Sequence, residues 1–294
     1  MSCFQPRVTP VEELVFRSRL VWIGHFRCPP DSGLFVDSGP ASAHLFVFPR
    51  TSVRIQHLGR DPFVTSRNMV TFYNPGDEFR RTRVSPEGDH CDWFAIAPEL
   101  AAEVVRHEDP KAAEDPACAF RFDHGPSDAR TYYQHRLTLH RAAAAGGADP
   151  LYVEEAAVGM LRRLVRNVYA ARDHRGRHEA LRPLSSAQRE LVEAARGVLA
   201  ADLAQPLSLD AVARAVGCSV YHLCRIFRRA TGSSLHAYRN QLRLRRSLDL
   251  VAERPADLTG VALDLGYSSH SHFTHAFRQA FGAPPARFRA GVKS

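Results

Sequence analysis

The strongest constraint on this chain is a pattern that occurs twice in its last third. A short apolar-periodic run is followed by a glycine, a serine, a second apolar-periodic run and a closing glycine. In the first copy Ser208 precedes Leu209, Ala211, Val212, Ala213 and Val216, as an N-cap precedes a helix, and Gly217 follows them, as the residue past a helix C-terminus does. Ser219 then precedes Leu223, Ile226 and Phe227, and Gly232 ends the run. Two short helices joined by a tight glycine turn make a helix-turn-helix. In the second copy Thr259, Val261, Ala262 and Leu265 lead to Gly266. Ser268 or Ser269 then caps a helix with Phe273, Ala276 and Phe277 inward, and Gly282 closes it. Leu235 to Glu253, between the copies, reads as one helix of about 28 Å at 1.5 Å per residue. The two second helices can then lie about one DNA turn, ~34 Å, apart, so that one polypeptide fills two successive major grooves.

Charge points to the same segment. The 294 residues carry a formal net charge of +8. Residues 1–185 hold 24 Lys and Arg against 23 Asp and Glu, whereas residues 186–294 hold 15 against 8. The excess therefore lies with the repeated pattern, where a polyanion would bind. Val220, Tyr221, Cys224, Arg225, Arg228 and Arg229 fall outside the apolar stripe of the first unit, and His270, Ser271, Thr274, His275 and Arg278 outside that of the second. Arginines and an aromatic near the start of such a helix suit base edges and phosphates. The candidate DNA-binding set is Tyr221, Cys224, Arg225, Arg229, His270, Ser271, Thr274, His275 and Arg278. Arg243, Arg245 and Arg246, on the connecting helix, read equally well as solvated or as phosphate-bound. His270, His272 and His275 point in different directions on a helix, so no zinc site is expected from them.

The stretches Leu207 to Gly232 and Leu265 to Arg289 resemble the first and second helix-turn-helix units of the AraC/XylS family of bacterial transcription regulators. The resemblance implies that Tyr221, Cys224 and Arg225, with His270, Ser271, Thr274 and His275, face bases or phosphates of double-stranded DNA in two adjacent major grooves. It also implies RNA polymerase as a partner, and activation more often than repression. Three positions depart from the family pattern. His270 stands where Gln is usual, His275 where Arg is usual, and Cys224 where a longer polar residue is common. An imidazole brings less charge to a phosphate than a guanidinium near neutral pH.

The preceding residues read differently. Leu45 to Phe48, Val53 to His57, Met69 to Tyr73, Phe79 to Val84 and Cys91 to Ile96 are β-rich runs separated by Pro, Gly, Asn and Asp turns, which suggests a small barrel or sandwich. From Glu99 the period becomes helical. Leu151, Ala157, Val158, Leu161, Leu164, Val165 and Val168 form one apolar stripe, which either packs on the barrel or pairs with a second copy to give a homodimer. Gly146 to Pro150 breaks the region into a helical hairpin, and Arg172 to Pro183 reads as a linker. The expected class is α+β: an N-terminal barrel over 1–98, a helical dimerisation and linker region over 99–180, and an all-α domain over 185–294. The two helix-turn-helix units lie at about 207–232 and 258–282.

Asn74 to Phe79 resembles the Pro-Gly turn of the cupin barrel, which implies a sensor for a small-molecule effector. Its expected lining is aromatic: Trp22, His25, Phe46, Phe48, Tyr73 and Trp93. Arg54, Arg80, Arg81 and Arg83 suit an acidic ligand wherever they point inward. Metal-binding cupins place a histidine where this chain has Phe79, and His44, His57 and His90 are isolated, so no metal, no other cofactor and no catalytic residue is expected. Two alternatives stay open: a metalloenzyme barrel with an accessory DNA-binding domain, and a regulator that needs no effector. Cys3, Cys28, Cys91, Cys118, Cys218 and Cys224 form no Cys-x-x-Cys pair, which favours reduced thiols. No apolar run reaches membrane-spanning length and the first residues lack a signal-peptide pattern, so a cytoplasmic bacterial protein without a membrane segment is expected.

Overall fold

A computed structural model describes residues 11–33, 35, 39–144, 149–179, 184–254 and 257–293. The chain divides into two compact units, residues 1–173 and 174–294. The first combines antiparallel sheets with helices and the second is helical, so the class is α+β.

Among the described residues, nine strands build the first unit: β1 (Glu12–Arg17), β2 (Val21–Cys28), β3 (His44–Pro49), β4 (Val53–His57), β5 (Phe63–Val64), β6 (Met69–Tyr73), β7 (Phe79–Arg83), β8 (Asp89–Ile96) and β9 (His124–Pro126). They form one sheet in the order β1-β2-β8-β3-β6-β9 and a second in the order β5-β4-β7. Each predicted run is found as a strand. β1, β5 and β9 carry no comparable apolar run, and the sheet supplies their partners. In β9 the fit is tight, because a Cβ on Gly125 would overlap Val168.

The side-chain period of two along a strand decides what each face of the large sheet does. On β8, Trp93 and Ala95 join Trp22, Val47 and Tyr73 in a cluster on one face. The side chains of Asp92 and Phe94, on the opposite face, meet α2 (Ala129–Ala142). Cys28, Met69, Val53, Ile55 and Phe63 pack together from the two sheets, which therefore face each other. Asn74 holds the Pro-Gly turn: its backbone N–H donates to Asp77 Oδ2 at 2.7 Å. Its side chain also exchanges two hydrogen bonds with the backbone of Phe120, both 2.9 Å.

α1 (Pro98–Arg106), α2 and α3 (Pro150–Glu179) supply the helical part. Ala157, Leu161, Leu164, Val165 and Val168 are fully buried within the unit. The apolar stripe is thus spent on the chain's own fold and is not a face for a second copy; Leu151 alone among these large apolar residues is exposed. The expected linker from Arg172 is helical through Glu179, because no proline interrupts the run before Pro183 and its arginines and Glu179 offset the weak helix formers among them. Residues 146–148 of the expected break at Gly146 to Pro150, and 180–183, the rest of the linker, lie outside the described residues.

Asp92, wholly buried, accepts from His25 Nδ1 at 2.6 Å, His135 Nε2 at 2.8 Å and Arg136 Nη1 at 2.9 Å, with Arg50 Nη1 at 3.9 Å. Burial alone would raise its pKa, but the Arg136 charge and the bonds from His135 and His25 hold it well below the ordinary value. His135 stacks on Phe48 at 4.0 Å. Burial drives its pKa down to about 4 against the opposing pull of Asp92. The folded unit thus holds this imidazole neutral, and the unfolded chain protonates first. Stability from His135 is complete above pH 6.5 and lost as pH falls toward 4, a change on the order of 3 kcal/mol. Trp22 and Trp93, the two tryptophans of the sequence, both lie in this unit, so urea unfolding followed by their emission checks it. His135→Gln should flatten the slope in that window; a variant with the wild-type slope would remove His135 as its source.

Candidate nucleic-acid interface

The second unit contains α4 (Ser186–Ala201), α5 (Leu209–Ala215), α6 (Val220–Thr231), α7 (Leu235–Glu253), α8 (Leu258–Asp264), α9 (His270–Phe281) and α10 (Pro285–Lys293). α5–α6 and α8–α9 are the two helix-turn-helix pairs. The caps act where the sequence puts them. Ser208 Oγ accepts from Ala211 N–H at 3.1 Å, Ser219 Oγ from His222 N–H at 3.3 Å and Ser269 Oγ from His272 N–H at 3.1 Å. Ser269 is therefore the cap of α9, while Ser268 Oγ lies 3.1 Å from His272 Nδ1. Asp257, which the sequence pattern did not single out, caps α8 through Gly260 N–H at 2.7 Å. Both α6 and α9 run for 12 residues from a serine cap to a left-handed glycine, Gly232 or Gly282, each of which donates to a carbonyl four residues back at 2.8 Å.

This shared frame aligns the two helices. Leu223, Ile226 and Phe227 of α6 are buried, as are Phe273, Phe277 and Phe281 of α9. Opposite them, Tyr221 (79% exposed), Arg225 and Arg228 line one solvent face of α6. Ser271, His275 and Arg278, at the same steps after the cap, line that of α9. Cys224 and Arg229 are half-buried flanks of this face, and Cys224 packs against the apolar core. Thr274 is half-buried, with Oγ1 3.4 Å from Nε2 of the exposed His270. Arg228 is the residue the candidate set lacked. Its correspondence with Arg278 was the available signal.

The arginines of the connecting helix are structural. Arg243 Nε donates to Leu203 O at 2.8 Å, and Arg239 Nη2 donates to the carbonyls of Asp202 and Gln205, which fastens the α4–α5 loop to α7. Arg246 donates to the buried Asp249 at 3.2 Å, and Arg245 is itself buried. None of these four is exposed on a helix face as Arg225 is.

A family model described as a helix-turn-helix domain matches residues 212–291. The chain is 39% identical over 87 residues to the regulatory protein SoxS of Salmonella typhimurium, which covers 29% of this chain and 79% of that protein. It belongs to the AraC/XylS family of transcription regulators. The right origin-binding protein of Escherichia coli K12 is 38% identical over 87 residues, and there the match spans 30% of each chain. Among solved structures, a transcriptional regulator with an AraC-type DNA-binding domain from Chromobacterium violaceum aligns over 37% of this chain and 96% of its own, with 29% identity and a TM-score of 0.35.

In the first unit of this AraC/XylS member, strand alternation divides the six aromatic candidates. Trp22, Tyr73 and Trp93 share the face toward the second sheet. Phe46 and Phe48 are fully buried on the other face, where they pack with Phe94, and Phe48 also with Tyr132 and His135 of α2. His25, also on that face, is bound to Asp92. A lining made by all six does not form. Toward the second sheet, His57 stacks on Tyr73 at 4.9 Å, and the Nε1 of Trp93 and Nε2 of His57 are buried without hydrogen-bond partners. Of the four barrel arginines only Arg81 is buried, and Asp89 neutralises it at 2.7 Å. Among the described residues no group of three or more His, Cys, Asp or Glu is disposed to hold a metal, and no helix is long and apolar enough to cross a membrane.

The turn glycines give a differential test of the interface scaffold. Gly217 (φ +71°) and Gly266 (φ +72°) both occupy the left-handed region, where an alanine costs about 1–2 kcal/mol. A Cβ at Gly217 meets nothing, whereas one at Gly266 would lie 2.7 Å from Ala204 O and 2.8 Å from Arg243 Nη2. Gly266→Ala should therefore cost visibly more than Gly217→Ala in chemical denaturation followed by helical circular dichroism. Equal losses would contradict the close approach.

Proposed function

We propose that this chain is a DNA-binding transcription regulator that reads two successive major grooves with α6 and α9 and answers to a small-molecule effector held in its first unit. The observation that carries the DNA half is the pair of identically framed helices, which present Tyr221, Arg225 and Arg228 from one and Ser271, His275 and Arg278 from the other. Arg225 and Arg228 suit bidentate contacts to guanine or to phosphate, and Tyr221 an apolar or phosphate contact. Cys224, Arg229, His270 and Thr274 border these faces and extend the candidate contact set.

The effector half rests on the first unit's near-neutral charge and on the face of β8 that carries Trp93. Unspent N–H and ring nitrogen positions at Trp93 and His57, beside Tyr73, suit an aromatic or apolar effector that accepts a hydrogen bond. The cupin-like turn at Asn74 supports the same reading. Family membership favours RNA polymerase as a partner and activation as the outcome, and a cytoplasmic location follows from that role. Any homodimer forms through a surface other than the stripe of α3.

DNA selected in vitro by the full chain, then footprinted, tests the first half: protection of two major-groove faces about one turn apart is expected. Protection of a single groove would sink the two-helix reading. On the selected site, Arg225→Ala should weaken binding by about 1–3 kcal/mol and relax the preference at one base pair. Thr274→Ala should leave the salt dependence of binding as it was. Thermal shift of the full chain against small aromatic compounds tests the effector half, with Trp93→Phe expected to abolish the response.

A further inference from the structure

A cavity of about 430 Å³ opens within the second unit, among the α4–α5 loop, α5, α6 and α7. That volume lies in the range of small-molecule sites, about 300–1,000 Å³. Leu199, Leu207, Leu209, Val212 and Leu235 give it apolar walls. Its charged side chains are all basic: Arg228, Arg239 and Arg243 line it, with His236 at their side, and no Asp or Glu does. Arg239 is 8% exposed. Its Nη2 is spent on the carbonyls of Asp202 and Gln205, and its Nε has no hydrogen-bond partner. The carboxylate of Asp202 accepts from the backbone of Ala204 and Gln205 through Oδ1. A guanidinium meets a carboxylate through charge-assisted bonds, so three arginines among apolar walls favour an anionic group. Cys224 and Arg228 bring the cavity to α6 itself.

We propose that this cavity binds a small monocarboxylate with an apolar tail, the tail among the leucines and the carboxylate against the arginines. Arg228 belongs both to the cavity and to the outward face of α6, so an anion bound there withdraws one cation from the DNA surface. The site is distinct from the effector site of the first unit. Only its effect on DNA rests on the interface described above.

Titration calorimetry of the full chain without DNA tests the site, with octanoate as the probe and octanamide as its neutral counterpart. Octanoate should bind at least tenfold more tightly than octanamide. His236→Glu adds a carboxylate at an exposed lining position, and Leu209→Trp adds bulk at a position 45% exposed. Each should weaken octanoate at least tenfold while leaving the melting temperature as in the wild type. Absence of octanoate binding, equal binding of octanamide, or binding indifferent to both variants would overturn the proposal; indifference with loss in Trp93→Phe would assign the heat to the first unit. With DNA, saturating octanoate should lower affinity and reduce the salt slope by about one charge. An octanoate complex with unchanged affinity and slope would overturn the role given to Arg228.

Discussion

A single buried carboxylate organises the first unit. Asp92 sits at the centre of the large sheet with no water to solvate it, so its charge must be met by the protein. Two imidazoles and a guanidinium meet it, and they come from β2 and α2. Removing any one donor leaves a buried charge short of partners, which costs far more than the same loss at a surface. The carboxylate thereby selects one docking of α2 on the sheet. Its neighbour Trp93 points the other way, toward the face proposed for an effector. One strand therefore carries the helix-facing charge and the interior aromatic on adjacent residues, and a displacement of β8 is felt on both faces.

In the second unit α7 has the corresponding role. It packs with α4 and with α6 of the first helix-turn-helix, and with α8 and α9 of the second and α10 after it. Its Arg239 and Arg243 bind the carbonyls of the loop at 202–205, and its Arg246 binds the buried Asp249. Charge on this helix is spent on holding the scaffold, while the charge available to a polyanion lies on α6 and, to a lesser degree, on α9.

Much of the second unit was legible in sequence because its signals are local. A serine that caps, a glycine that takes positive φ and an apolar step of three or four each act within one turn of helix. The caps at Ser208 and Ser219 and the stops at Gly232 and Gly282 therefore stood where the sequence put them. The fates of Arg239, Arg243 and Arg245 are tertiary and left no trace in spacing. The first unit was legible where strands are apolar and obscure where they are not. Glu12–Arg17 and His124–Pro126 become strands because a neighbouring edge offers them hydrogen bonds. Asp92 lies more than forty residues before the adjacent pair His135 and Arg136, and no local pattern marks them as its partners. The division of the aromatic candidates could have been read from the period of two, since Phe46 and Phe48 share a parity that puts them on one face together.

The two outward faces are framed alike but furnished differently: tyrosine and two arginines on α6, serine, histidine and arginine on α9. A stretch of DNA that satisfies both has a left end and a right end, and rotating the protein by half a turn would set each helix against the wrong bases. Under the proposed two-groove reading, such a molecule carries a direction on the duplex even as a single copy, and so distinguishes the DNA that lies ahead of it from the DNA that lies behind.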